Sequence, residues 1–280
     1  MKNINTLKRK WSMLIVVLLS VLNPLRAANA DGTIQWATLV MTLIGGLAFF
    51  LYGMEKMSEG MKKSAGDRMR NILSALTNNR IIGMLVGAFV TMVIQSSSAT
   101  TVMLVSFVQA QLMTFMQSLG VILGADIGTT ITAQLVAFNL TDYALLMIAV
   151  GFFLMMFSKK DSTKHIGEAI MGFGILFFGM KLMSDAMKPL RTFQPFIDVM
   201  KELENPLWGL LIGTIFTALV QSSSAFTGIV IVLAQQGLLT LEAGIPLIFG
   251  ANIGTCITAG LASIGTTREA KRVALAHVLF

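Results

Sequence analysis

Long apolar stretches alternate with short charged ones along almost the whole chain. Residues 36–54, 114–137, 143–157, 166–184 and 243–263 carry few charges and read as helices. Two further apolar stretches, 81–111 and 207–237, are interrupted at their centres by the same tetrad, Gln-Ser-Ser-Ser, at 95–98 and 221–224. A membrane-spanning helix needs about 20 apolar residues, so the pattern predicts an all-α polytopic membrane protein. As one straight helix, residues 81–111 would run about 46 Å, well beyond a hydrocarbon core of about 30 Å. Divided at the tetrad, each arm spans about 20 Å. A hairpin that enters and leaves on one side then puts its tip near the bilayer midplane.

The interrupted stretches belong to a duplication. At a fixed offset of 126 residues, FLYGMEKMS (50–58) falls on LFFGMKLMS (176–184). GAFVTMVIQSSSAT (87–100) falls on GTIFTALVQSSSAF (213–226), and LGADIGTTITA (123–133) on FGANIGTCITA (249–259). The period is far longer than a solenoid unit; a membrane half has been copied.

Taking both interrupted stretches as re-entrant hairpins gives one path. With a mature N-terminus outside, span 36–54 ends inside at Lys56, Lys62, Lys63, Arg68, Arg70 and Arg80. Hairpin 81–111 opens to the cytoplasm, 114–137 leads out, and 143–157 returns to Lys159, Lys160 and Lys164. Then 166–184 leads out, hairpin 207–237 opens to the outside, and 243–263 returns to Arg268, Lys271 and Arg272. Lysine and arginine thus concentrate inside, against Lys188, Arg191 and Lys201 outside, as the positive-inside rule requires. The extra span 143–157, short for a crossing, inverts the second unit. The expected organisation is a signal peptide (1–30), repeat unit 36–137, a linking span and basic loop (138–164), repeat unit 166–263, and the first turns of a further helix (264–280). The fold expected is an inverted-topology repeat with two re-entrant helical hairpins meeting near the midplane.

Composition agrees. Charged residues make up 12% of the chain, against about 25% in soluble domains. The net charge of +7 sits in short segments between apolar runs rather than on a binding face, which argues against a nucleic-acid partner. The lone Cys256 allows neither an internal disulfide nor a cysteine-based transition-metal site, and the residues imply no cofactor. At the N-terminus, Lys2, Lys8, Arg9 and Lys10 precede the apolar run Trp11–Leu22, and Ala28-Asn29-Ala30 supplies a small-residue cleavage site: the layout of a secretory signal peptide.

Backbone broken inside a bilayer is tolerated only within protein or beside a water-filled cavity. A helix that starts after such a break presents free N–H groups and the positive end of its dipole. Ser97 or Ser98, and Ser223 or Ser224, read as N-caps of the second arms. Each tip is then an uncharged anion cradle built with Ser96–Ser98 or Ser222–Ser224. The carbonyls freed at the end of each first arm, with Gln95 and Gln221, suit a small cation. In the second shared motif, Thr129, Thr130, Thr132, Thr255 and Thr258 supply oxygens, and Asp126 stands where the other copy has Asn252. A carboxylate inside a span costs about 2.5–3.5 kcal/mol on insertion scales and marks a functional position; its bland role is an interhelical hydrogen bond. For the serines, the bland role is close helix packing, which two copies in register argue against.

QSSSAT at 95–100, QSSSAF at 221–226, GADIGTT and GANIGT resemble the type II sodium-dependent phosphate cotransporter family, including its bacterial members, over residues 36–280. The resemblance implies an inverted-repeat carrier of inorganic phosphate and Na⁺ in a bacterial inner membrane. Gln95, Ser96, Ser97, Ser98, Gln221, Ser222, Ser223 and Ser224 would then line the phosphate and sodium sites, with Asn252, Thr255 and Thr258 adjoining them. Asp126 departs from the family motif, which more usually has Asn. Family members also continue beyond the equivalent of residue 280 with more spans, and many bacterial ones add a cytoplasmic helical domain.

Other functions fit less well. A serine hydrolase needs a base beside its nucleophile and usually a Gly-x-Ser-x-Gly elbow. Neither tip has the elbow, and His165 and His277 are expected beside loops at the membrane edges. A scaffold or phosphate sensor would need a soluble effector domain, and a channel would need a continuous polar ring. A carrier of sulfate, or one coupled to H⁺, stays open on residue chemistry alone, because an uncharged cradle holds any tetrahedral anion.

Overall fold

The apolar stretches form helices, and their starts are set by polar caps that recur at the repeat offset. The computed structural model describes residues 34–65, 79–138 and 140–280; the expected signal peptide and Arg68 and Arg70 lie outside the described residues. The α-helices are α1 (Trp36–Ala65), α2 (Arg80–Ile94), α3 (Ser97–Gln109), α4 (Phe115–Ala137), α5 (Ala144–Phe157) and α6 (Asp161–Met187). They continue as α7 (Gln194–Glu202), α8 (Pro206–Val220), α9 (Ser223–Gln235), α10 (Leu241–Ala262) and α11 (Arg268–Leu279). Asn79 and Asn205 cap α2 and α8 with side-chain oxygens; Thr114 and Thr240 do the same for α4 and α10. Four helices, α1, α4, α6 and α10, are long and apolar enough to cross a membrane. The fold of the described residues is all-helical, and the chain is a multi-pass membrane protein.

In lipid there is no hydrophobic drive between helices, so close packing relies on small residues that let backbones touch. α1 and α6 are joined in this way. A Cβ on Gly53 would lie 2.6 Å from the Gly172 carbonyl oxygen, and one on Gly46 would lie 3.0 Å from that of Gly179. Residues further along α1 thus meet residues earlier in α6, so the two helices are antiparallel. Exchanging the units at the 126-residue offset turns one of these contacts into the other. α5 also runs antiparallel to α6, with Gly151 against Gly167 and Met171, and Gly174 against Ala144 and Ile148.

α2 and α4 run parallel: Gly120 faces Arg80, Gly124 faces Met84 and Ala88, and Gly128 faces Ala88. The second unit repeats this register, Gly250 meeting Leu210 and Thr214, and Gly254 meeting Thr214 and Ala218. Because α4 starts beside the start of α2, and only residues 110–114 join it to α3, α3 must run back along α2. The pair α2–α3 is a hairpin with its turn at Gln95-Ser96, and α8–α9 is its counterpart.

One hydrogen bond and one shared buried cluster give the relative direction of the units. The Thr267 backbone N–H, just past the end of α10, donates to Gln109 Oε1 at 2.7 Å, at the end of α3 and just before α4 begins. At the other end, Val136 near the finish of α4 is buried with Leu238, just ahead of α10. α4 and α10 therefore run in opposite directions. Each hairpin's second arm also crosses to the other unit: α3 packs on α10, and α9 on α4.

α11 turns back from the end of α10 and lies along α3, burying Ala270, Val273, Ala274 and Ala276 in a cluster with Leu104, Val121 and Ala259. A second cluster joins Phe50, Leu176, Phe177 and Met180 to Val232 of α9. Glu168 of α6, largely buried, reaches across to α1, where Lys63 Nζ lies 2.9 Å and Lys56 Nζ 3.5 Å away.

Candidate functional site

Both hairpin turns are built by the same device. α2 ends on Gln95 in the left-handed conformation (φ 57°, ψ 31°), and α8 on Gln221 (φ 58°, ψ 28°). A non-glycine residue there costs about 1–2 kcal/mol, so something must hold it. The glutamine side chain does. Gln95 Nε2–H donates to the Met92 carbonyl, and Thr132 Oγ1–H of α4 donates to Gln95 Oε1 at 2.6 Å. Gln221 is held in the same way by Ala218 and Thr258. The glutamines, expected to line the phosphate and sodium sites, fix each tip to its own unit's motif helix.

The next residue is extended and caps the returning helix. Ser96 Oγ accepts the Ala99 N–H at 3.2 Å, and Ser222 Oγ that of Ala225 at 3.2 Å. The caps therefore sit one residue earlier than the sequence suggests, because the left-handed glutamine completes the reversal within a single residue. Ser97 and Ser98 become the first helical residues, with backbone N–H groups that have no intrahelical acceptor, as do Ser223 and Ser224. Ser97 and Ser223 are both buried.

A cavity of about 50 Å³ lies at the first of these helix starts. Ser97 of the α3 tip, Asp126 of α4, and Asn252 and Thr255 of α10 line it, so both units contribute. Cys256, His277 and Phe280 complete the wall. The other predicted site residues lie elsewhere. Thr258 clamps Gln221, Thr129 Oγ1–H donates to its own helix at the Ala125 carbonyl (3.0 Å), and exposed Thr130 does so at Ile127 (2.7 Å). Thr255 also bonds back, to Ala251 at 2.9 Å, which leaves its oxygen lone pairs as acceptors. No hydrogen bond among the described residues joins Ser96–Ser98 to Ser222–Ser224, and of these six serines Ser97 alone lines the cavity, with Asp126, Asn252 and Thr255.

Sequence reasoning missed His277, which it set at a membrane edge. The structure buries His277, with Nε2 3.6 Å from Asp126 Oδ1. The cause is the return of α11 along α3, which carries its last turn about 15 Å back from the Thr267 cap. Cys256 Sγ lies 3.1 Å from the His277 carbonyl and holds that turn against α10.

What the arrangement can do is hold an oxyanion and a cation side by side. Free N–H groups and a serine hydroxyl suit an anion, while a carboxylate, an amide and a threonine oxygen are hard ligands that suit a cation.

Comparisons with known proteins identify the family. The profile of the Na⁺/Pi-cotransporter family matches residues 49–185 and 192–280. The chain is 32% identical over 235 residues to "Uncharacterized protein YqeW" of Bacillus subtilis, covering 84% of this chain and 76% of that protein. It is 28% identical over 242 residues to "Putative inorganic phosphate export protein YjbB" of Escherichia coli K12, covering 86% of this chain but only 45% of that one. It is also 39% identical over 115 residues to human "Sodium-dependent phosphate transport protein 2B", covering 38% of this chain and 17% of that protein. The chain thus spans less than half the length of YjbB. No solved structure matches it. The chain belongs to the Na⁺/Pi-cotransporter family, a family of transporters and not of enzymes.

Proposed function

We propose that this chain is a secondary active transporter that couples inward sodium movement to the uptake of inorganic phosphate across a bacterial inner membrane. The observation that carries the reading is the Ser97–Asp126–Asn252–Thr255 cavity, where an anion-binding helix start and a hard-ligand cluster meet between two oppositely running units. Phosphate sits at the free N–H groups of Ser97 and Ser98, and Na⁺ at Asp126, Asn252 and Thr255. The units act as an inverted-topology repeat with re-entrant hairpins. Alternating access follows from rocking one unit against the other around the fixed site. The clamped, left-handed glutamines keep each tip rigid while its unit moves.

The name of YjbB favours a second reading, in which the physiological flux is outward. Transport in vesicles separates the two. Uptake of radiolabelled phosphate is expected to require an inward Na⁺ gradient and to stop when choline replaces sodium. Equal uptake in choline rejects sodium coupling. Efflux from preloaded vesicles that outpaces uptake under the same gradient supports export.

A further inference from the structure

The charge balance of the cavity raises a question that the serine motifs leave unanswered. Phosphate is an anion, yet the cavity contains a carboxylate. Asp126 is the only charged residue of α4, and α3 has none. α10 carries only Glu242, in its first turn, far along the helix from Asn252. Left alone, Asp126 would repel an oxyanion across a few ångströms of low-dielectric protein.

His277 supplies the compensation. Its side chain is 3% exposed, and Nε2 faces Asp126 Oδ1. The separation of 3.6 Å sets the ring against the carboxylate without a direct hydrogen bond. The other nitrogen, Nδ1, is buried without any hydrogen-bond partner. Buried polar atoms are paired in nearly all native structures, and an orphan calls for an explanation. Here the orphan belongs to a residue that lines the same cavity as Ser97.

We infer that His277 is a direct ligand of the transported oxyanion, donating its Nδ1–H to a phosphate oxygen while Asp126 orients the ring through Nε2. The inference rests on the proposed function only in taking phosphate as the occupant of this cavity. It gives Asp126 two tasks, orienting His277 and receiving the cation. The anion site then consists of backbone N–H groups from one helix start and one imidazole from α11.

Two substitutions separate this role from simple support of Asp126. The nitrogen of an asparagine side chain is attached at Cγ, as Nδ1 is, whereas that of glutamine reaches the position of Nε2. In proteoliposomes, His277→Asn, which loses the ring but keeps a donor at the Nδ1 position, is expected to raise the half-saturating phosphate concentration less than His277→Gln does. His277→Gln is expected to raise it by about tenfold or more, as loss of one charge-assisted contact implies. Unchanged affinity in His277→Gln, or equal behaviour of the two variants, overturns the inference.

A second measurement needs neither variant to fold. In a His165→Gln background His277 is the sole histidine, and its reaction with diethylpyrocarbonate is expected to slow several-fold when inorganic phosphate is added. Reaction at the same rate with and without phosphate overturns the inference. Absence of phosphate uptake by the unsubstituted chain would instead count against the transport reading, and the protection assay would still decide the role of His277.

Discussion

The two units share a backbone and differ in chemistry. Their glutamine turns agree within a few degrees, their serine caps have the same length, and their glycines meet the same partners at the 126-residue offset. Their side chains diverge at a few points near the tips. Thr100 is replaced by Phe226, Asp126 by Asn252 and Thr130 by Cys256. The comparison teaches that duplication preserves what shapes the break in the helix, while charge has been placed in one copy only. A carboxylate in each would add a second charge, with no histidine against it, to one small cavity.

The largest expected effect concerns the shared backbone. A Cβ at Gly124 would lie 2.0 Å from the Met84 carbonyl oxygen, and at Gly250 2.2 Å from that of Leu210. Gly124→Val and Gly250→Val should each destabilise the chain by about 3 kcal/mol or more, since helix backbones must separate. Thermal unfolding in detergent measures this, and Gly260→Ala, where the space is open, serves as the tolerated control. A large cost at one glycine and none at its counterpart would break the claim of equivalence.

The next effect concerns charge. Asp126→Asn should leave the fold intact and raise the sodium concentration for half-maximal uptake by about 10- to 100-fold, through loss of a charged ligand. Asn252→Asp should instead impair insertion, because a second carboxylate costs about 2.5–3.5 kcal/mol and the residue 126 positions before His277 is Gly151, packed on α6. Matching phenotypes for the two changes would show that the asymmetry has no functional content. The readouts are sodium-dependent uptake and membrane yield.

The smallest effect differs in sign between the copies. Thr91 and Thr100 share a hydrogen bond of 2.9 Å, whereas Thr217 is buried with its hydroxyl unpaired and Phe226 stands at the position equivalent to Thr100. Thr91→Val should cost about 1 kcal/mol, and Thr217→Val should be neutral or stabilising by up to about 1 kcal/mol. Shifts of the same sign in denaturation would remove the distinction.

Much of this was legible in the sequence, since copied motifs at one offset reveal both the repeat and the places where helices break. The helix starts at Asn79, Thr114, Asn205 and Thr240 follow from polar residues ahead of apolar runs. The left-handed glutamines were not legible: propensity assigns that conformation to glycine or asparagine, and only a tertiary clamp from Thr132 or Thr258 makes glutamine tolerable there. The place of His277 depended on how α11 folds back, which no local pattern fixes. A trace was nevertheless present, because Ala270, Val273, Ala274 and His277 fall at helical spacing and are all buried. A histidine on the apolar stripe of an otherwise basic helix can signal a partner across the interface.

The glycine seam between α1 and α6 has a mechanical consequence. Where main chain rests on main chain, there is no rotamer to switch and little room to slide. The contacts of Gly46 with Gly179 and of Gly53 with Gly172 are images of each other, so a displacement that opens one opens the other equally. The seam resists translation while permitting a small twist about the local two-fold axis, much as a pivot does. If the units rock as proposed, the seam directs that motion into the crossings of α3 on α10 and α9 on α4.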